Sequence, residues 1–502
     1  MRIHLQAASV VACLAFAATA GANVLRVCST TTTGLNCAGA YPSIQKAVDV
    51  AHPGDWILVA PGIYHETGPA TGPNSNKAGV YITTPGIHLR GLDRNKVIVD
   101  GTKPGAAEPC TSDASMQDFT GRNGIEVFEV DATYVENLTV CNYLQGTNGE
   151  GGNEIWWNGG DGTGTQNLGT FWGNYLTATT TFFDASKPSA QYGIFMSNVK
   201  GPGKVTYSYA SNMSDSDFYV GACPDCNTTL DHVHAQNSSL GYSGTNSGGH
   251  LIIQNSEWDH NKTGLAPNSL NNDDAPSPQS GLCPEGGGYC TFIQNNYVHD
   301  NNNPNVPSSG ISGNAPVGTG IELSGGQFDV VRDNRIENQG AWGIVVNDYP
   351  DTEMPPPVAK CSGGISVPGV VCYFQAKGNR IEHNQLAYNG FFLNPTNGDL
   401  ANQGTGLGNC FHDNRDPDGL TSAPPFIEAL DSNCDGLTPG DEGMLVVQLL
   451  CASQLVGPCP GTPLTSYPRA TGVDLTPLPT HETSMPNPCD GVPAHQSNHW
   501  CP

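Results

Sequence analysis

Histidines and carboxylates recur at matching places in the middle and second half of this chain, always just after an apolar residue that itself returns. The position following Val233, Trp258, Val298, Ile336 and Ile381 holds His234, Asp259, His299, Glu337 and Glu382, and the next position adds His260, Asp300 and His383. Imidazoles and carboxylates side by side are the groups that pass protons to and from a substrate. Solvation of an outer polar face accounts for the same pattern without any chemistry. Two acidic clusters compete for the role. Asp215 and Asp217 flank Ser216, with Asp231 and His232 downstream, and Asp273 and Asp274 sit in a long Pro/Gly/Cys loop between Gly264 and Cys290. Long loops are where binding residues gather, although loop solubility explains such residues as well.

Two other segments bear on ligands. Trp156, Trp157, Phe171, Trp172, Tyr175, Phe182, Phe183 and Tyr192 fall close together. Packing accounts for most of them, while Trp156 and Trp157 are expected to be exposed and to stack on sugar rings, with Glu337 as a further substrate contact. Farther on, Asp431, Asn433, Asp435, Gly436 and Glu442 match the loop pattern D-x-[DN]-x-[DN]-G-x₅-E. With the carbonyl of Leu437 they form an expected Ca²⁺ site, the alternative being an Asp/Asn-rich turn. Short helices are expected on either side, over 426–430 and 442–450.

The elements that must position these groups are short strands. Gly320-Ile321-Glu322-Leu323 returns as Gly343-Ile344-Val345-Val346, a register of 23 residues, and glycine followed by an apolar residue also occurs at Gly264-Leu265 and Gly390-Phe391. Self-similarity at a fixed period indicates a stacked repeat. In Arg335-Ile336-Glu337 the isoleucine faces inward and its neighbours outward, because side chains alternate along a strand. The Gly, Asn and Asp between strands disfavour helix and suit tight turns. Asn261, Asn301 and Asn384 after the strand, and Asn296, Asn334 and Asn379 before it, are placed to stack as ladders, or simply to tolerate left-handed turns.

Lys plus Arg is 20 and Asp plus Glu 46, giving a net charge of −26. That balance argues against nucleic acid and anionic membranes as partners. Residues 1–22 read as a secretory signal, with Arg2, an apolar run from Ala7 to Ala18, and Ala20-Gly21-Ala22 as the cleavage site. Lipidation at Cys13 is the alternative, and no other stretch reads as a membrane span. Removing Cys13 leaves sixteen of the 17 cysteines, an even number that suits an oxidising compartment. Spacing suggests Cys28–Cys37, Cys223–Cys226, Cys283–Cys290, Cys361–Cys372, Cys451–Cys459 and Cys489–Cys501, leaving Cys110–Cys141 and Cys410–Cys434. Five Asn-x-Ser/Thr sequons begin at Asn137, Asn212, Asn227, Asn237 and Asn261.

Ser43 to Val50 reads SIQKAVDV, with Ile44, Ala47, Val48 and Ala51 at helical spacing, followed by Pro53-Gly54, Trp56-Ile-Leu-Val59 and Pro61-Gly62-Ile63-Tyr64. A short helix capping a first coil fits this pattern. Here the chain resembles right-handed parallel β-helix proteins of the pectate-lyase-like superfamily, whose opening commonly has this form. The resemblance runs from about Leu25 to Asn394. It implies an all-β parallel β-helix over 23–394, and the Pro/Gly/Cys-rich residues 395–502 are expected to form a disulfide-stapled tail or cap over the last coil.

The family's catalytic signatures are incomplete. The strand and Gly-Arg-Pro-Trp segments of pectin methylesterases are absent. Where polygalacturonases have Arg-Ile-Lys, this chain has Arg335-Ile336-Glu337 and Arg380-Ile381-Glu382, with only Asp273-Asp274 as a further echo. Glu257-Trp258-Asp259-His260 followed by Lys262 echoes the Trp-Ile-Asp-His of pectate lyases, without their Arg-x-Pro-x-x-Arg. The expectation is a secreted, monomeric β-helix that binds and modifies a polysaccharide or cell-surface glycan by lyase-like or hydrolase-like chemistry, with Ca²⁺ neutralising a substrate carboxylate. The alternative is a non-catalytic surface scaffold.

Overall fold

A computed structural model describes residues 21–69, 78–160, 165–272, 283, 288–430, 434, 438, 440–441, 443–455, 459, 466–494 and 499–501. Strands of two to nine residues alternate with sharp corners, and they pair in parallel with the equivalent strand one coil away, apart from a small antiparallel sheet of Tyr349–Asp351, Val371–Phe374 and Ile365–Val367. Among the described residues they form a twenty-stranded sheet and an eleven-stranded sheet. The molecule is a parallel β-helix.

Within the larger sheet the chain bends mid-coil, so each coil contributes two short strands. Leu230, Ile253, Ile293, Val331 and Ile381 stack in register before the bend, and Ala235, Trp258, Val298, Ile336 and Leu386 after it. Tyr242, Leu265, Ile321, Ile344 and Leu400 stack on the eleven-stranded sheet. All are buried in one continuous core. A single coil cannot bury its apolar edge, whereas coils stacked at roughly 4.8 Å bury one another's.

The 23-residue register holds, with Ile321 opposite Ile344. Two equivalences expected from sequence are displaced. Val233 lies at the bend and Ile381 belongs to the strand before it, so the true partners of Trp258 are Ala235 and Val298. Leu400, not Phe391, follows Ile344, and Phe391 is exposed. Both slips arise because one coil carries two strands of the same polar–apolar–polar form, which sequence alone does not tell apart.

The asparagines do form hydrogen-bonded ladders. Asn296 donates its amide to Asn334 at 3.0 Å, Asn334 to Asn384 at 3.0 Å and Asn384 to Asn414 at 2.9 Å. Each also donates to a neighbouring backbone carbonyl. A second ladder runs Asn261, Asn301, Gln339, Asn389. Asn384 therefore belongs with Asn296 and Asn334, while Asn379 pairs with Asn409 in a third. Glu428, on the short helix Ile427–Leu430, ends the first ladder by accepting from Asn414.

Ser43 caps the helix Ile44–Val48, whose buried Ile44, Ala47 and Val48 cover the first coil. At the other end the strands continue past 394, through Gly398–Asn402, Cys410–His412 and Ser422–Ala423. The tail does more than cover the last coil. Helix Met444–Ala452 packs Leu445 and Leu449 on Trp342, Val345 and Ala401 of the eleven-stranded sheet. The described residues between 466 and 501 then return along the solenoid to its start, held by side chains that bond their backbone. Asn394 engages Ser466, Asn212 engages Thr476, Asn95 engages Glu482, and Arg90 donates to the carbonyls of Pro488 and Asp490. All eight disulfides pair as the spacing suggests. No helix among the described residues is long and apolar enough to cross a membrane.

Four of the five sequon asparagines, Asn137, Asn212, Asn237 and Asn261, are buried with their amide nitrogens donating to backbone carbonyls. A glycan there would break these bonds.

Two predictions test this frame. Asn384→Ala removes a buried amide from the middle of a ladder and should lower unfolding stability by about 3 kcal/mol in chemical denaturation, because it strands donors and acceptors on both neighbouring coils. Burial pushes the Asp329 carboxyl up to about 7. A carboxyl with a raised folded pKa costs stability as pH climbs from the ordinary value near 4 through about 7. Asp329→Asn should therefore raise Tm at pH ~8 and leave it nearly unchanged at pH ~4, as read by thermal scans at both values.

Candidate functional site

The outward residues of four consecutive coils after the bend form two columns. His234, Glu257, Tyr297 and Arg335 make one, and Gln236, Asp259, His299 and Glu337 the other. Two strand residues apart, each pair points to the same side of the sheet. At the following corner His260 (φ 55) and Asp300 (φ 53) adopt left-handed conformations, where the neighbouring coils place Asn237 and Asn338. Asn, Asp and His are the non-glycine residues that tolerate this region best, so the corner can carry ionisable groups without losing its turn.

Asp259 is the centre. Its side chain is 4% exposed, and it accepts from both flanking imidazoles: His234 Nε2 at 2.5 Å through Oδ1, and His260 Nδ1 through Oδ2. Gln236 donates to Oδ2 at 3.0 Å, and Gln236 in turn accepts from the Tyr209 hydroxyl. Burial alone would raise the Asp259 carboxyl, but the bonds from His234 and His260 and the His234 charge hold it well below the usual carboxylate range. Burial works against a proton on His234, yet the bond and charge of Asp259 outweigh it and raise that imidazole; the Asp259 bond likewise raises His260.

His299, one coil on, sits between Glu257, 3.1 Å from Nε2, and Asp300, 2.8 Å from Nδ1, and stacks on Tyr297 with ring centroids 4.0 Å apart. Burial opposes its proton, and the two carboxylates raise it nonetheless. The His299 bond holds Glu257 below its ordinary value. Tyr297 donates to Glu337, and desolvation together with that carboxylate pushes the phenol up to about 12. Arg335 lies over the Tyr297 ring at 4.7 Å and pairs with Glu337 at 2.8 Å. The side chain of His260 is 57% exposed and that of Arg335 60%, whereas Asp259 is covered. The arrangement presents the His260 imidazole to solvent over a buried carboxylate that fixes its orientation.

Of the residues picked from sequence, His234, Asp259, His260, His299 and Asp300 come together, with Glu337 at the edge. The expected equivalence of His234 and Asp259 does not hold: Glu257 stands opposite His234, two residues earlier in its repeat. Glu382 and His383 lie on the other side of the bend. Asp217 is buried on strand Ser216–Gly221, bonded by Ser238, and burial raises it far above its ordinary value, which removes it from a solvent-facing site. Asp215 accepts from Tyr192 at 3.0 Å, away from the histidines, and burial pushes it up to about 6. Asp273 and Asp274 lie outside the described residues, as do Asp431, Asn433, Asp435, Leu437 and Glu442, and so does the signal segment apart from Gly21 and Ala22.

Trp157 is fully buried against Phe171 and is not a substrate contact; it points inward because its position in strand Asn153–Asn158 matches that of the core residue Ile155. Its neighbour Trp156 faces out, half-buried, stacked on Phe195 and donating to Ser197. Glu257, Gln236, Tyr209, Tyr297 and Arg335 belong to the site and were not picked. Their signal was present in the strand period, since each site residue has a same-side partner two positions away.

A separate cleft of about 650 Å³ lies by the last coils, lined by Tyr289, Arg380, His412, Asp413 and Glu428 among others. His412 beside Cys410 and Cys434, and Asp100 beside Cys110 and Cys141, could hold a metal only through cysteines that are joined in disulfides.

No family model matches the chain, and no curated protein matches it in sequence. Among solved structures it is similar to the mannuronan C-5 epimerase AlgE4 A-module of Azotobacter vinelandii, at 13% identity over 72% of this chain and 87% of that one, with a TM-score of 0.34. An alginate lyase from Paenibacillus sp. matches at 12% identity over 76% of this chain and 99% of that one, TM-score 0.37. A GH136 lacto-N-biosidase from Eubacterium ramulus matches at 12% over 78% and 68%, TM-score 0.40. The overlap is low, and the chemistry of the site rests on its own residues.

In chelator-treated protein the imidazoles of His234 and His260 should titrate above the ordinary 6.5, and Asp259→Asn should bring both down together. NMR titration of the histidine ring protons reads this directly. An unchanged pair of titrations would break the assignment of Asp259 as their common partner.

Proposed function

We propose that the protein is a secreted enzyme that acts on an anionic polysaccharide of the polyuronate class, lying along the outward columns from His234 to Arg335. The observation that carries this reading is the pair of imidazoles on one buried carboxylate, Asp259, with an exposed arginine seated on Tyr297 two coils along the same columns. Arg335 supplies a planar cation for a uronate carboxylate. Four of the chain's ten arginines, Arg332, Arg335, Arg380 and Arg415, fall on these last coils, although the protein as a whole carries a charge of −26. An extended anionic chain would run from the histidines toward them.

In the proposed step His260, exposed and oriented by Asp259, takes the proton α to the substrate carboxylate, and Arg335 offsets the charge that develops there. Loss of the glycosidic oxygen from the adjacent carbon then completes eliminative cleavage, with the double bond forming between the two carbons; return of a proton to the opposite face gives epimerisation instead. His299, raised by its two carboxylates, is the proton donor to the departing oxygen. A base with a pKa near the working pH is the efficient choice for such a transfer.

Incubation with polymannuronate, polyguluronate and polygalacturonate, following the absorbance of unsaturated ends, reducing ends and C5 configuration by NMR, tests the reading. Asp259→Asn should reduce kcat by roughly 10²–10⁴-fold by misorienting His260. Arg335→Ala should act mainly on KM, by about tenfold. Retention of a uronan without turnover under any condition would replace this reading with that of a binding scaffold.

A further inference from the structure

We infer that His234, Glu257 and Asp259 form a binding site for one divalent transition-metal ion of the zinc or cobalt(II) kind. A ring nitrogen of His234 and one carboxylate oxygen from each of Glu257 and Asp259 lie within 4.8 Å of one another. They come from adjacent coils locked in register, His234 opposite Glu257 and Gln236 opposite Asp259, so their separation is set by strand pairing and not by loops.

The atoms around them leave the right positions open. Asp259 Oδ2 is occupied by Gln236 and His260, which orients Oδ1 toward His234 Nε2, 2.5 Å away. Glu257 receives His299 Nε2 on Oε1 at 3.1 Å, which fixes the carboxylate and leaves Oε2 without a partner among the described residues. Outer hydrogen bonds of this kind hold metal ligands in place in known centres. A bound ion would replace the proton between His234 and Asp259 and draw Glu257 in.

The donor set selects the metal. One imidazole and two carboxylates give three protein ligands, the number at which catalytic zinc sites keep a further position open. Calcium takes 6–8 oxygen ligands, and nitrogen from His234 favours the later transition ions over it. This differs from the calcium expected for carboxylate neutralisation. The three ligands belong to the same outward columns as Arg335, which lies two coils beyond Glu257, and the ion would neutralise a substrate carboxylate at the histidine end of those columns. That role rests on the proposed reaction; the binding does not.

Untagged full-length protein, stripped with EDTA, is titrated calorimetrically with Zn²⁺, Co²⁺ and Ca²⁺, and the d–d absorption of Co²⁺ is followed. One equivalent of Zn²⁺ or Co²⁺ should bind at least about 100-fold more tightly than Ca²⁺ at this site. His234→Ala and the half-exposed Glu257→Gln should each weaken it by at least the roughly 10–100-fold that loss of an outer partner alone costs and change the cobalt spectrum, while Asp413→Asn should not. Absence of stoichiometric Zn²⁺ and Co²⁺ binding, or equal affinity in both site variants, overturns the inference. Metal binding without turnover of any uronan keeps this site and removes the proposed reaction, and turnover with no metal binding does the reverse.

Discussion

Everything in this molecule depends on coils staying in phase. A parallel stack of short strands has no hairpins to set its register, and a slip of one residue would turn every core side chain outward. The buried amides prevent it. Asn296, Asn334, Asn384 and Asn414 each bond the next coil through both side chain and backbone, and Glu428 closes the series where no further coil follows. An amide that loses its partner in this interior costs more than the bond itself contributes, so the ladder discriminates sharply against any other pairing.

The same phase lock builds the site. His234, Asp259 and His299 are far apart in number and reach one another only because three coils stack with matched outward columns. The corner where Asn237 and Asn338 hold the turn is the place where His260 and Asp300 replace asparagine. One substitution type therefore serves two ends: the left-handed turn is kept, and an ionisable group is added at the rim. Asp259 is then buried beneath its imidazoles, so its charge is fixed and its partners' orientation with it.

The tail adds a second long-range constraint. The described residues between 466 and 501 have no helix or strand of their own, and they are held because side-chain amides and arginines of the solenoid bond their backbone. Asn212 and Asn237, which read as glycosylation sequons, instead bind Thr476 and Asp474. Local sequence gave no sign of this, since an extended Pro/Thr-rich segment has no periodicity to reveal where it docks.

How far the site was legible follows from the strand period. The clustering of His234, Asp259, His260, His299 and Asp300 came from a repeat of apolar residues flanked by polar ones, and alternation along a strand made them outward. The misalignment of Val233 with Trp258 came from the bend, which gives each coil two strands with the same local pattern. Trp157 was misplaced for a related reason: in a run of two tryptophans, alternation says that one is buried but not which. The sequence by itself determined a stacked β-solenoid and the kinds of residue on its outer face, because these depend on local period and spacing, and it suggested the disulfide pairs without fixing them. Only the tertiary structure decided which outward residues meet, that Glu257 and not Asp259 stands opposite His234, and where the tail runs, because those depend on the register between coils and on contacts across hundreds of residues.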